Sequence, residues 1–168
     1  WPGNAIRVRT TEELPIDKWI HVTMVYDGSS RAAGLRLFVD GELAEIYVVR
    51  DHLVKNITGS GGANIAIGER FRDLGFSGGT VDEFRVFQRA ITPLEIKMLF
   101  SNELQPTALK LSSGDLDETT RAELLDMFLS LYHEPWSAQQ AVLKQAREAY
   151  NNLNNSLSEI MVMQEMQQ

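Results

Sequence analysis

The sequence predicts a mainly β domain, an antiparallel sandwich, followed by a helical hairpin. Short runs of β-branched and aromatic residues recur before residue 88, separated by turn formers, a spacing that favours antiparallel strands over βαβ units. Asp40-Gly41 lies between two apolar runs and reads as a type I′ hairpin turn, which needs positive φ at both central positions. From Thr92 onward the apolar period changes from two to alternating three and four, as helices require.

The elements follow in order. Ala5 to Thr10 alternates Ile6 and Val8 with Arg7 and Arg9, a strand with one wet face. Trp19 to Tyr26 is apolar at nearly every position, as expected for a strand covered on both faces. Asp27 to Ala33 is a loop dense in turn formers. Leu35, Leu37 and Val39 form a strand that turns at Asp40-Gly41 into a second apolar run over Leu43 to Val49. A connection rich in glycine from Gly59 to Gly62 leads to a short strand over Asn64 to Gly68, and Gly79 to Phe87 reads as the closing strand. Thr92-Pro93-Leu94-Glu95 then has the form of an N-cap, a proline at N1 and a capping-box glutamate, opening a helix over Leu94 to Phe100. Asp117 to His133 is helical, and Pro135 is expected to stop it. Ser137 and Gln140 look like a second capping box, after which Leu143, Ala146, Tyr150, Leu153, Leu157 and Ile160 form a seam. The expected organisation is a sandwich with a closing helix over 1–100, a polar link over 101–116 and a helical hairpin over 117–168.

Charge is unevenly placed along the 168 residues, whose net charge is −7. Residues 1–100 carry 12 Lys and Arg against 13 Asp and Glu, whereas residues 101–168 carry 4 against 10. Neither part offers a basic face, so nucleic acid and anionic lipid are not expected as partners. No apolar run approaches the roughly 18 residues of a membrane span, so no membrane insertion is expected. The absence of cysteine excludes disulfides, thiolate metal ligands and a thiol nucleophile. The chain opens at Trp1 without an initiator methionine or leader, so an upstream piece is expected to have been removed, and the signal peptide is not in this chain.

Four blocks in order, WIHVTMVYDG, LRLFVDG ending at Gly41, IAIG ending at Gly68 and FSGGTVDEFRVFQRAITPLEI ending at Ile96, resemble a laminin G-like domain of the concanavalin A-like lectin and glucanase superfamily. The resemblance covers residues 5–100 and implies a jelly-roll β-sandwich, concanavalin A-like, that binds glycans or proteins and sometimes holds calcium. The opening WPGNAIRVRT, the loop YDGSSRAAG and EIMVMQEM also resemble large planctomycete-type cytochrome c associated proteins. Haem-binding motifs of that family do not occur, so no redox role carries over. The blocks match the later strands of such a sandwich, so the rest is expected upstream of Trp1 or on another chain. The resemblance further implies an extracytoplasmic location, periplasmic or secreted.

Asp82-Glu83 invites a hydrolase reading, since the superfamily includes glycosidases. Adjacent residues on a strand point to opposite faces and cannot converge on one bond, so a catalytic dyad is not expected; Glu83 is expected to pair with Arg85. His21, His52 and His133 have no metal-ligand spacing, and Ser29 and Ser30 lack a His and Asp arrangement. Asp27, in Asp27-Gly28-Ser29-Ser30, is the one candidate calcium ligand, in a loop that also has the composition of an ordinary turn. Arg70, Phe71, Arg72 and Asp73 are the candidate ligand-binding residues, because an aromatic flanked by guanidiniums and carboxylates suits a sugar or acidic polysaccharide. The other reading of Phe71 is a plug at the sandwich edge. The expected function is non-catalytic recognition of carbohydrate, a glycan or polysaccharide, within a larger protein. The alternative is a structural module whose partners are the flanking domains of its own parent.

Overall fold

The computed structural model describes residues 3–55, 67, 78–103 and 116–158 of the chain. Two small antiparallel sheets come first and three helices follow. In the first sheet β1 (Ala5–Thr10) pairs with β5 (Ile46–His52), with a shift of register between Arg7 and Val8. The second contains β2 (Val22–Tyr26), β3 (Leu35–Val39) and β4 (Glu42–Leu43), in that order. A short 3-10 turn over Ala32–Gly34 leads into β3.

The β3–β4 turn is the one expected at Asp40-Gly41. Val39 pairs with Glu42, leaving two residues in the loop, and their φ angles are 50° and 85°. Asp40 also ties the turn to β2: its Oδ1 accepts from His21 N at 2.8 Å and its own N–H donates to His21 O at 2.8 Å. The apolar run after the turn divides. Glu42 and Leu43 stay with β3, while residues from Ile46 cross to β1 in the other sheet. A cavity of 390 Å³ lies between residues of both sheets, lined on its apolar side by Leu35, Leu37, Leu43, Ile46 and Val48.

Helix α1 (Pro93–Ser101) fixes the position of the second sheet. Thr92 Oγ1 accepts from Glu95 N, Glu95 Oε2 accepts from Thr92 N at 2.8 Å, and Pro93 stands at the first turn, so the capping box is complete. Arg89 forms an ion pair with Glu95. Burial alone would raise the Glu95 carboxyl, but the hydrogen bonds from Arg89 and Thr92, with the Arg89 charge, outweigh it and hold the pKa below its ordinary value. Ile91 and Ile96 pack with Val25 and Phe38 as the buried core, and Leu99 lies against them. Gly41 sits under the same helix: a Cβ there would approach Phe100 Cδ1 to 3.2 Å.

Three expectations are corrected. Residues 80–87 form no strand, although β-branched and aromatic residues dominate them. Glu83 has φ of 53°, which breaks an extended backbone, and no described strand pairs with the segment; Val81, Phe84, Val86 and Phe87 are exposed. The Trp19–Tyr26 run is not covered on both faces. Its strand begins only at Val22, and Met24 and Val22 are exposed while Val25 is buried, because α1 covers a single face of this sheet. Pro135 does not end a helix with a separate cap at Ser137. Helix α2 (Glu118–Tyr132) stops at His133, and α3 (Glu134–Ser156) starts immediately, with Pro135 in its first turn and His133 Nδ1 accepting from Trp136 N at 3.2 Å. The expected strand over Asn64 to Gly68 falls almost entirely outside the described residues.

Helix α2 is joined to α1 by Lys97 Nζ donating to Glu123 Oε1 at 2.8 Å, and Met127 is its one buried residue. None of the described residues forms a helix long and apolar enough to cross a membrane. The core makes a direct prediction. Ile96→Ala removes a fully buried side chain and is expected to cost about 2–5 kcal/mol of unfolding free energy. Thr92→Ala removes only the cap and should cost about 1 kcal/mol. Urea titration followed by tryptophan fluorescence measures both, and equal losses would contradict the assignment of the core.

Candidate functional site

The loop after β2 and the middle of α3 together form a cleft. Its volume is 230 Å³, and its walls are Gly28, Ser29 and Ser30 on one side and Ala146, Arg147, Tyr150 and Asn151 on the other. This is below the roughly 300–1,000 Å³ of pockets that enclose drug-sized ligands.

The loop is held in shape from within. Ser29 N donates to Asp27 Oδ1 at 2.8 Å, Asp27 N donates to Gly34 O at 3.1 Å, and Ser30 N donates to Tyr26 Oη at 2.6 Å. Gly28 and Ser30 have φ of 77° and 58°, which explains a glycine at the first position and a tightly bonded serine at the second. Gly34 is required for a different reason. A Cβ there would lie 2.0 Å from Asp27 Oδ1 and 2.3 Å from Ser29 Oγ, so only a residue without a side chain lets the loop close over the 3-10 turn. Behind the loop, Ala32 N donates to Asp51 Oδ1 at 2.8 Å and so links it to β5.

Arg147 bridges the walls. Its Nη1 donates to Asp27 O, and its Nη2 stands 3.6 Å from Asp27 Oδ2. Ser30 Oγ approaches Asn151 Oδ1 at 3.5 Å, the outer limit of a hydrogen bond. Burial pushes the Asp27 carboxyl up, yet the Ser29 donors and the Arg147 and Arg36 charges outweigh that and hold it below the usual carboxylate range. The Ser29 hydroxyl is buried beside this carboxylate, and Ser29 N donates to Asp27 Oδ1. Tyr150 presents most of its ring to solvent, at 63% exposure, and is the one aromatic wall of the cleft.

The sequence-based candidates fare unevenly. Arg70, Phe71, Arg72 and Asp73 lie outside the described residues. Asp27 is at the cleft, but the residues around it do not fit calcium: one carboxylate oxygen accepts a backbone N–H and the other faces a guanidinium, which a cation would have to displace. Among the described residues no group of three or more His, Asp and Glu could hold a metal ion. His21 Nδ1 is buried without a hydrogen-bond partner among the described residues and its ring lies 5.9 Å from that of Phe100, while His133 is a helix cap. Asp82 and Glu83 are exposed and engaged locally, Asp82 Oδ1 accepting from Glu83 N at 2.8 Å and Glu83 pairing with Arg85 at 2.6 Å. The second of these contacts is the expected one. The strand argument that kept the two carboxylates apart does not apply, since the segment is not a strand. The sequence places Tyr150 in the helical seam and does not single out Asn151. The signal available was Arg147, one of only four cations in an acidic stretch.

A family model described as the concanavalin A-like lectin/glucanases superfamily matches residues 1–97. A search of curated proteins found no match. Among solved structures, an S-layer domain-containing protein from Clostridium thermocellum (residues 221–444) is similar at 22% identity and a TM-score of 0.38. The likeness covers 54% of this chain and 43% of that one, so the chain spans less than half of that neighbour's length.

Two outcomes follow from the loop. Asp27, lowered in the folded chain, contributes stability that is present above the ordinary carboxylate pKa and is lost as pH falls through the lower folded value. Asp27→Asn is therefore expected to be slightly less stable than wild type at neutral pH, with the gap closing below about pH 4 in acid-titrated urea melts. Gly34→Ala should shift the loop outward and cost about 1–3 kcal/mol, read as a lower urea midpoint.

Proposed function

The chain belongs to the concanavalin A-like lectin/glucanases superfamily, and on that premise we propose that it is a non-catalytic recognition module that binds carbohydrate. The observation that supports it best is the cleft between the Asp27–Ser30 loop and α3. Tyr150 offers an exposed ring for the apolar face of a sugar, and Ser30 and Asn151 offer a hydroxyl and an amide from the two walls of the cleft. Asp27 and Arg147 neutralise each other, which favours uncharged hydroxyl-bearing ligands at this position. Asp82 and Glu83 line neither described cavity, and their local partners favour recognition over hydrolysis.

In the finer reading, the two sheets are the later strands of a jelly roll, completed by residues upstream or by another chain, and α2 and α3 form a helical hairpin beside it. Its parent is a larger, extracytoplasmic multidomain protein of the planctomycete kind that the sequence resembles. Arg70, Phe71, Arg72 and Asp73 supply a second contact with an acidic or neutral polysaccharide. Neither nucleic acid nor a membrane interior is a partner.

A structural reading has its own support. Val22 and Met24 on β2, and Val81, Phe84 and Val86 after Gly78, are exposed apolar side chains, a surface that flanking domains of the parent would cover. Affinity electrophoresis in gels containing neutral or acidic polysaccharides separates the two. Recognition predicts retardation that Tyr150→Ala or Asn151→Ala reduces at least tenfold in affinity, with Phe71→Ala reporting on the second contact. Unretarded migration in every gel would favour the structural module.

A further inference from the structure

The β1–β5 sheet collects positive charge on one face and leaves it unbalanced. Directly opposite residues of an antiparallel pair share a face, and the register sets Arg7 opposite Arg50 and Arg9 opposite Tyr47. All four are exposed. The reverse face carries Val8 opposite Val48 and Thr10 opposite Ile46, and Ile46 and Val48 line the cavity between the two sheets. The arginine face is therefore the one turned away from the second sheet.

A bulge brings this group together. Tyr47 and Arg50 are three positions apart, so on a regular strand they would point to opposite sides. The shift of register after Arg7 leaves Val49 without a partner, and this extra residue returns Arg50 to the side of Tyr47. Three guanidiniums and one ring then share a strip that regular pairing would have divided.

Nothing among the described residues neutralises the strip. Arg7, Arg9 and Arg50 form no ion pair and no hydrogen bond there. The Arg9 guanidinium lies over the Tyr47 ring, 5.0 Å from its centroid. Of the acids beside the strip, Asp51 belongs to the reverse face, where it accepts from Ala32 N, and Glu45, past the end of the ladder, accepts from Thr11 Oγ1 at 3.2 Å. Like charges directly opposite each other weaken a strand pair, so Arg7 against Arg50 costs the folded chain stability that an anion between them would restore. Composition hides the strip, because residues 1–100 as a whole carry 12 Lys and Arg against 13 Asp and Glu.

We propose that this face binds an acidic polysaccharide, whose sugar carboxylates bridge Arg7 and Arg50 and meet Arg9, at a contact separate from the cleft. It rests on the reading of the chain as a recognition module and gives that module an anionic substrate class at this face. A guanidinium takes a carboxylate through two parallel hydrogen bonds, and Arg9, laid on Tyr47, is held ready for one. Side chains two positions apart on a strand are separated by roughly 7 Å, which suits widely spaced carboxylates better than the one charge per roughly 1.7 Å of duplex DNA. The net charge of −7 acts in the same direction, since a dense polyanion is repelled by the rest of the chain while a sparse one is met locally.

Affinity electrophoresis in gels of polygalacturonate, of neutral dextran or of neither tests the proposal, each variant being read against its own mobility in the plain gel. Polygalacturonate is expected to retard wild type at low salt, and less so as NaCl is raised. The double variant Arg7→Gln, Arg50→Gln should lose at least tenfold in affinity for polygalacturonate and nothing for dextran. Arg7→Lys with Arg50→Lys keeps the charge without the planar fork and should recover part of the loss. Lys144→Gln, which removes an exposed charge from α3, should behave as wild type. Circular dichroism should be the same for all of them. An equal loss in Lys144→Gln would overturn the proposal, as would tighter binding of single-stranded DNA or of phosphatidylserine vesicles than of polygalacturonate. Undiminished polygalacturonate binding by the double variant defeats this face alone and leaves the recognition reading standing. Retardation that depends on the arginines but never on Tyr150 defeats the cleft alone, and free migration in every gel defeats both.

Discussion

Ile96, with none of its surface exposed, closes a core with Val25, Phe38 and Ile91, and this contact fixes where the chain leaves its sheets for its helices. Burying side chains of this size contributes about 1.5–3 kcal/mol each, against about 0–1 kcal/mol for an exposed ion pair. The contact depends in turn on two local devices. The capping box at Thr92 starts α1 at the right residue, and Gly41 lets Phe100 lie close over the Asp40-Gly41 turn. A helix started one residue later would rotate Ile96 away from the sheet by about 100°. The site depends on the same frame, because β2 and β3, which this core holds together, carry the loop from Asp27 to Gly34 between them.

The cleft lies at the boundary between what the superfamily supplies and what it does not. The loop wall falls inside residues 1–97, whereas Arg147, Tyr150 and Asn151 are beyond them. Chemistry at this position is therefore a joint product of the matched region and the helices added after it. The electrostatics agree with that division: an acidic loop residue in the first part meets one of only four cations in the acidic second part. Such a pair orders a surface cheaply and, being part-exposed, leaves it adjustable.

Much of the frame was legible in the sequence, and the reasons differ by residue. Asp40-Gly41 and Thr92-Pro93-Leu94-Glu95 act through bonds among near neighbours, so their sequence signals survive into the structure without help from the rest of the chain. The segment from Thr80 to Phe87 is the opposite case: β propensity requires a neighbouring strand, and the left-handed Glu83 shows that local preference did not decide its shape. His133 displaced the expected cap at Ser137 because a histidine Nδ1 can accept from a helix N–H as a serine hydroxyl does, a substitution the pattern S/T-x-x-E/Q does not include. The cleft itself was illegible. It joins residues about 120 apart in the sequence, and nothing in the periodicity of α3 distinguishes a residue facing a loop from one facing another helix.

The central claim, that one composite cleft recognises carbohydrate without changing it, is tested most directly by titrating isotope-labelled protein with a soluble neutral oligosaccharide and following backbone amide and sugar resonances together. The account predicts that amides of Gly28 to Ser30 and of Ala146 to Asn151 shift with one common affinity, while the sugar spectrum shows no new reducing ends after prolonged incubation. Shifts confined to one wall, or the appearance of shortened sugars, would contradict it.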